Sequence, residues 1–503
     1  MSALSQTRVY SAAQTRELDR LAINSGIAGS VLMQRAGQAA FDLLRQRWPG
    51  ARRLAVLCGG GNNGGDGYVV AALAQLAGLM PTVYFTTDPQ RLSGDARHMA
   101  QWCTTLSVPC QPLTMSGLPL EADVLVDGLL GTGLRGQVND TLREVLLALD
   151  ALDIPCLALD VPSGLDADTG MPLGAVLTAD LTCTFIALKP GLITGLGPVH
   201  SGQVRLATLQ VPESVYQQVD ACYWRPRVED ISLALPKRRA DGHKGMYGHV
   251  LVVGGNSGFG GAALMTAQAA ARSGAGLVSL ATHADHVLAA LVRQPEIMVR
   301  GVHSTADLVP LIDNADVVAI GPGLGQDSWG SRMLSAVLDS GKPMVLDADA
   351  LNVVAGGLSL PADWQGVMTP HPGEAARLLA STVADVQQDR FAACTELQQQ
   401  YGGSILLKGC GTLVVGDQKT DRYAPVSAII DAGNPGMATG GMGDVLTGVI
   451  AAFLAQGVGA FNAAALGALA HALAADKCAA DGGARGMLAS DLLVYLRRLL
   501  NEE

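Results

Sequence analysis

The chain repeats one phrase: a short apolar run ends in Asp or Gly and breaks into a glycine-rich loop. RLAVLC leads into GGGNNGGDG over 53–67, ADVLVD into GLLGTGLRG over 122–136, CLALD into VPSG over 156–164, and HVLVV into GGNSGFGG over 249–261. Continuous apolar runs of this length are strands buried on both faces, and helical patterns such as Tyr68–Leu79 and Thr141–Leu149 lie between them. The fold class is therefore α/β, with helical layers on largely parallel sheets. TVYFT and DLTCTFIAL continue the series in the first half; GLVSLAT, DVVAIGPG, PMVLDAD, GVMTP and SILLKG continue it in the second. In such sheets ligands bind beyond the carboxyl ends of the strands, which is where these loops fall.

At 503 residues the chain is too long for one core. The strand–helix alternation lapses over Val211–Gly245, a stretch with three prolines and mixed charge, so the junction is placed at Trp224–Arg227, giving domains 1–225 and 226–503. An apolar content of 49% with 16% charge describes a compact protein, and a net charge of -11 weighs against a nucleic-acid partner. Nine cysteines without a CxxC pair point to a reducing, cytoplasmic setting with no disulfide framework or zinc site. The opening MSALSQTRVYSAAQ lacks a signal-peptide pattern. Val445–Ala475 carries no Asp, Glu, Lys or Arg and is long enough for a membrane span. Gly448, Gln456, Gly457, Gly459, Asn462, Gly467 and His471 interrupt it, so two buried helices and no membrane partner are expected.

GGGNNG satisfies GxGxxG, and Asp88 ends the next strand, where a dinucleotide fold keeps its ribose-binding acid. A tight strand–helix turn without a ligand is the rival reading. Neither accounts for Asn62, Asn63 and Asp66, because a carboxylate repels pyrophosphate, whereas such oxygens suit a cation or a hydroxyl-rich ligand. Asn63, Asp127 and Ser163 fall at successive strand ends and can converge on one metal ion.

CGGGNNGGDG, DGLLGTGLRG, LDVPSGLDADTG and FIALKPGL together resemble the N-terminal domain of the NAD(P)H-hydrate epimerases, over nearly the whole first half. The resemblance implies a Rossmann-like three-layer domain with potassium on Asn63, Asp127 and Ser163. It implies substrate contacts from Asn62, Asn63, Gly64, Gly65 and Asp66, and from Gly131, Thr132, Gly133, Leu134, Arg135, Gly136 and Gln137. The glycines then let the backbone approach a dinucleotide. Asp160 becomes the acid/base at the C6 hydroxyl of the damaged nicotinamide, unless it only caps the VPSG turn; a carboxylate beside a cation favours its base form. Lys189 is read as stabilising negative charge, or as pairing with phosphate or solvent.

In the second half, NPGMATGGMGDVLTG sets a glycine run before an apolar helix. Amides of Gly440–Gly443 form an anion hole there, and Asp444 is placed to take a proton from a hydroxyl, or else only caps the helix. No GxxxxGK[ST] loop is present at this position or at GGNSGFGGA. LLKGCGT offers Lys408 to phosphate; TPHPGE sets His371 and Glu374 at a helix start, with Glu374 able to reach magnesium. With GPGLG and LDADALN, these motifs resemble the ribokinase-like ADP- or ATP-dependent NAD(P)H-hydrate dehydratases from about Arg227 onward. The resemblance implies a second three-layer domain in which Ala262, Gly325, His371 and Asp444 contact the hydrate, while Lys408, Gly409, Cys410, Gly411, Thr412 and Gly443 contact the nucleotide. It favours ADP as phosphoryl donor, though no residue by itself selects ADP over ATP. The substrates are then NADHX and NADPHX. Two alternatives stand beside this reading: a kinase of a small vitamin alcohol fused to a non-catalytic nucleotide-binding domain, and a non-enzymatic binding module in the first half. A helical face on either domain could support a homo-oligomer.

Overall fold

The computed structural model describes residues 7–416 and 427–501. The chain divides into two compact units, Met1–Trp224 and Arg225–Glu503. The first is built on a sheet of β1 (Arg53–Cys58), β2 (Met80–Phe85), β3 (Cys110–Pro112), β4 (Val124–Gly128), β5 (Cys156–Leu159), β6 (Leu181–Phe185) and β7 (Gln203–Ala207). Their order is β3-β2-β1-β4-β5-β6-β7 and every neighbouring pair is parallel. This is the doubly wound Rossmann order, and its direction of winding reverses between β1 and β4. Register there pairs Val56 with Val126 and Cys58 with Gly128.

Strand alternation supplies the three layers. Leu54, Val56 and Cys58 point into a core shared with helices α1 (Gly29–Arg47) and α2 (Asn62–Leu76), while Ala55 and Leu57 point into a second core with Val145, Leu146 and Leu149 of the Asp140–Asp150 helix. The edge strands β3 and β7 have no place in the sequence reading. β3 is exposed and β7 is only partly buried, so neither carries the apolar run that marks a buried strand.

In the second unit, β8 (His249–Val253), β9 (Leu277–Thr282), β10 (Met298–Gly301), β11 (Val317–Ile320), β12 (Met344–Leu346), β13 (Gly366–Met368) and β14 (Ser404–Leu407) are joined in parallel, in the order β14-β13-β12-β11-β8-β9-β10. Two further strands extend the sheet: β15 (Thr412–Val415) pairs antiparallel with β14, and β16 (Ser427–Ile430) pairs antiparallel with β15. The winding reverses between β8 and β11, so the loops after them, GGNSGFGG and GPGLG, flank one crevice. The uncharged stretch forms two helices, α4 (Met442–Ala455) and α5 (Ala460–Gly482), separated where Gly457 takes a φ of 88°. Helix α4 crosses α3 (Gly260–Arg272) so closely that a Cβ on Gly448 would lie 2.2 Å from the carbonyl oxygen of Thr266. No helix among the described residues is long and apolar enough to cross a membrane, and all nine cysteines are free.

The opening glycine-rich segment differs from its sequence reading in two ways. Helix α2 starts at Asn62, six residues before the expected Tyr68, so Asn62–Asp66 are its first turns and not a loop. The glycines here serve internal contact more than ligand approach. A Cβ on Gly59 would sit 1.9 Å from the Leu129 carbonyl oxygen, and one on Gly64 would sit 2.1 Å from that of Gly59. Gly65 abuts Met33 and Gly67 abuts Cys58, whereas Gly61 has open space. Gly64→Ala is therefore expected to cost about 1–3 kcal/mol in a urea melt through overpacking, while Gly61→Ala should leave the midpoint nearly unchanged.

Candidate functional site

At the carboxyl edge of the first sheet lies a cavity of about 590 Å³, lined by residues that include Asn62, Asn63, Asp66, Gly131–Arg135, Asp160 and Lys189. Gly136 lines a smaller neighbouring cavity, while Gly64, Gly65 and Gln137 do not line the larger one. Asp88 is also absent from its wall and instead accepts the Gln90 amide as the cap of a short turn.

At the cavity floor Asn63 and Ser163 both bond the Leu130 backbone, and Ser163 bonds Asp127. The Asn63 amide nitrogen donates to the carbonyls of Leu130 at 2.9 Å and Leu159 at 3.0 Å, which fixes its oxygen; that Oδ1 is buried without a partner. Asp127 is fully buried and accepts from the Ser163 hydroxyl at 2.6 Å, the Ser163 amide at 2.7 Å and the Leu129 amide at 3.2 Å. Burial outweighs these bonds and pushes the Asp127 carboxyl up to about 6. A carboxylate without a cationic side chain beside an orphaned amide oxygen is a donor set suited to an alkali ion.

Asp160 follows β5 in the left-handed region with φ 63°, as does Ile186 after β6 at 63°. A left-handed β-branched residue stores strain, which is characteristic of functional sites. Lys189 is completely buried and donates to Asp160 Oδ1, to Thr184 Oγ1 at 3.0 Å and to the Phe185 carbonyl at 2.8 Å. Of the alternatives for Lys189, pairing with solvent does not hold: the side chain is buried and Asp160 is its counter-ion. Asp66 is buried too, and burial, with Asp160 and Asp19 adding, raises its carboxyl well above the usual range. It lines the cavity, where the sequence reading expects a substrate contact. Arg16, Asp19 and Met33, from the two N-terminal helices, complete the wall and escaped the sequence reading. Their signal was the amphipathic pattern of TRELDRLAI, which carries no motif.

In the second unit, Ala262 sits half-buried in the first turn of α3, and Gly325 adopts φ 75° with its amide donating to Asp349 at 2.9 Å. Across the crevice, Lys408 Nζ bonds Asp347 Oδ1 at 2.8 Å and lies 3.8 Å from Glu374 Oε2. Asp347 also accepts from the Thr447 hydroxyl at 2.8 Å. A Cβ on Gly443 would stand 3.3 Å from Lys408 Nζ, so the ammonium lies against the start of α4. There burial, with Asp347 adding and Lys408 opposing, raises the Asp444 carboxyl to about 7. Burial works against the Lys408 ammonium, but Asp347 and Glu374 outweigh it and hold its pKa above the ordinary lysine value.

His371 is half-exposed and caps the helix Pro372–Leu378, its Nδ1 accepting from the Gly373 amide at 2.9 Å; burial and Lys408 lower its pKa, favouring the neutral ring. Glu374 accepts the His371 amide at 2.8 Å and faces Lys408. The Lys408 ammonium lies between Glu374 and Asp347. Among the described residues no group of three His, Cys, Asp or Glu could hold a metal ion. Asp347 and Thr447 were not assigned from sequence, although LDAD ends its strand as LVD and ALD do.

The chain matches two family models: residues 29–191 the YjeF-related protein N-terminus, and residues 250–498 NAD(P)H-hydrate dehydratase. It is 45% identical over 495 residues to a bifunctional NAD(P)H-hydrate repair enzyme of Coxiella burnetii, covering 98% of this chain and all of that one. The chain belongs to the bifunctional NAD(P)H-hydrate repair enzymes. An Escherichia coli relative of the same name is 43% identical over 472 residues, covering 94% of this chain and 90% of its own. A solved Streptococcus mutans structure described as a hypothetical protein aligns with a TM-score of 0.50 at 31% identity, covering 55% of this chain and 98% of that one. In family terms, the first unit is the Rossmann-like domain and the second the ribokinase-like one.

The buried pair in the first unit gives a direct test of its electrostatics. Lys189→Met should cost about 3–5 kcal/mol by stranding Asp160, and adding Asp160→Asn should recover part of that loss in a denaturant titration. Simple additivity of the two substitutions would show that the pair is not coupled.

Proposed function

We propose that the chain repairs hydrated NADH and NADPH, exchanging the two C6 epimers in its first unit and dehydrating the S epimer in its second, with ADP giving AMP and phosphate. The observation that carries the reading is the position of Asp444: a buried carboxyl raised to about 7, in the first turn of a helix preceded by glycines, beside the Lys408 ammonium.

In the second unit Asp444 takes the proton from the C6 hydroxyl as its oxygen attacks the β-phosphorus of ADP and the bond to AMP breaks. The α4 amides and Lys408 face the charge that develops on the transferring group. The C6–O bond then breaks, phosphate departs with the electron pair, and loss of a proton from C5 leaves the reduced nicotinamide. Phosphate is a far better leaving group than hydroxide, which is why a dehydration consumes a nucleotide. Ala262, Gly325 and His371 flank the crevice where the hydrate would lie. Lys408–Thr412 and Gly443 would face the nucleotide. Glu374 would reach magnesium directly or through water, where the ion would supply positive charge to the phosphates.

In the first unit Asp160 would serve as acid and base at C6. The hydroxyl leaves as water when it is protonated and the ring-nitrogen lone pair expels it, and water adds back to either face of the ring as its proton is removed. Lys189 orients the Asp160 carboxyl. Asn62, Asp66 and the Gly131–Arg135 loop shape the pocket around the ring. Asn63 Oδ1, Asp127 and Ser163 would hold potassium under the floor, where the ion supplies positive charge.

A mixture of both epimers should regain the reduced-nicotinamide absorbance completely with ADP and potassium; recovery of only the S fraction would leave the first unit silent, and a stable phosphoester product would favour the vitamin-alcohol kinase. Asp444→Asn should lower dehydration about 10²–10⁴-fold while epimer exchange persists. In the wild type, kcat/KM for dehydration should fall about tenfold per pH unit below about 7, because the base must be deprotonated, and level off above it. Asp127→Asn should abolish the potassium dependence of epimer exchange and leave ADP-dependent turnover of the S epimer unchanged.

A further inference from the structure

Under the turn that joins β14 to β15 lies a cation with no counter-charge. Arg390, the first residue of the Arg390–Tyr401 helix, is 2% exposed. Its Nη1 donates to Gln387 Oε1 at 3.0 Å, and its Nη2 reaches the carbonyls of Leu407 and Lys408 at 3.4 Å and of Gly411 at 3.5 Å. Its Nε has no partner, and no carboxylate pairs with it among the described residues. Burial works against this charge, and the neighbours that favour it are the sulfurs of Cys394 and Cys410. A buried guanidinium in this state is costly and calls for an anion.

The peptide geometry of the turn indicates where that anion sits. All peptide bonds in the described chain are trans, so a carbonyl turned toward Arg390 directs the N–H of the same peptide to the opposite side. The Lys408 carbonyl points inward, hence the Gly409 N–H points outward, and it bonds nothing among the described residues. Gly409 has φ 139°, open only to glycine, and a Cβ there would lie 2.7 Å from Arg390 Nη1. The arrangement sets one outward backbone donor over an inward cation. Lys408 differs from Arg390 in having carboxylate neighbours, Asp347 and Glu374.

We infer that Arg390 is a positioning residue for the nucleotide: it holds the carbonyls of the 407–411 turn inward, and its unpaired charge is balanced by the phosphates of the bound nucleoside diphosphate. The inference rests on the reading of Lys408–Thr412 as the nucleotide turn.

The test compares ADP with adenosine, in the full-length chain, by calorimetry and by steady-state kinetics on the S epimer. Arg390→Met should weaken ADP about tenfold and raise its KM by a similar factor. Its kcat should stay near wild type and its adenosine affinity should not change. Arg390→Lys, which keeps the charge, should recover most of the ADP affinity. Equal weakening of ADP and adenosine, or equal damage in the Met and Lys variants, would reduce Arg390 to a packing role and overturn the inference. Unchanged ADP affinity in Arg390→Met would overturn it as well. A wild-type chain that does not bind ADP would sink the nucleotide reading itself, and this inference with it.

Discussion

A charged group placed at the end of a buried parallel strand must find compensation within a few ångströms, and most of the chemistry of this chain follows from how each one does so. Asp160 is matched by Lys189 and Asp347 by Lys408, with Thr447 adding a hydroxyl. Asp127 has two amides and a hydroxyl but no cationic side chain, and Arg390 has carbonyls but no anion. The matched groups are internal machinery. The unmatched ones carry a desolvation cost that no charged side chain among the described residues offsets, and the proposed alkali-ion and phosphate contacts rest on them.

The two units reach this arrangement from different topologies. Both reverse their winding between a pair of adjacent parallel strands, and both open a crevice there. In the first, the helix after β1 begins directly under the ligand cavity, so its opening residues are at once structural and exposed to substrate. In the second, the helix that carries Asp444 comes from far along the chain and is brought under the crevice by its crossing with α3 at Gly448. That crossing requires a residue without a side chain, so the catalytic geometry depends on a glycine that touches no ligand.

Much of this was legible in the sequence, for physical reasons. Buried parallel strands must be apolar and must end in turn-forming or polar residues, so runs such as RLAVLC and HVLVV were found with their site loops attached. The edge strands were not found, because exposure removes the apolar signal. The start of α2 was misplaced, since glycine and asparagine ordinarily end helices, and only the contact of Gly64 with the Gly59 carbonyl explains why they begin one here. The partners of charges were least legible. Lys189 lies 29 residues from Asp160 and Lys408 lies 61 from Asp347, separations that only the folded sheet closes. Arg390 had no motif at all.

The left-handed backbone at Asp160 has an evolutionary consequence. Among natural residues, asparagine and glycine fit that conformation at least strain, and each is a single-base change from an aspartate codon. Neither can serve as a base. The change that the backbone accommodates most readily at this position would, however, strand the buried Lys189 ammonium without its carboxylate, so the aspartate is held there by its counter-ion against the preference of its own backbone.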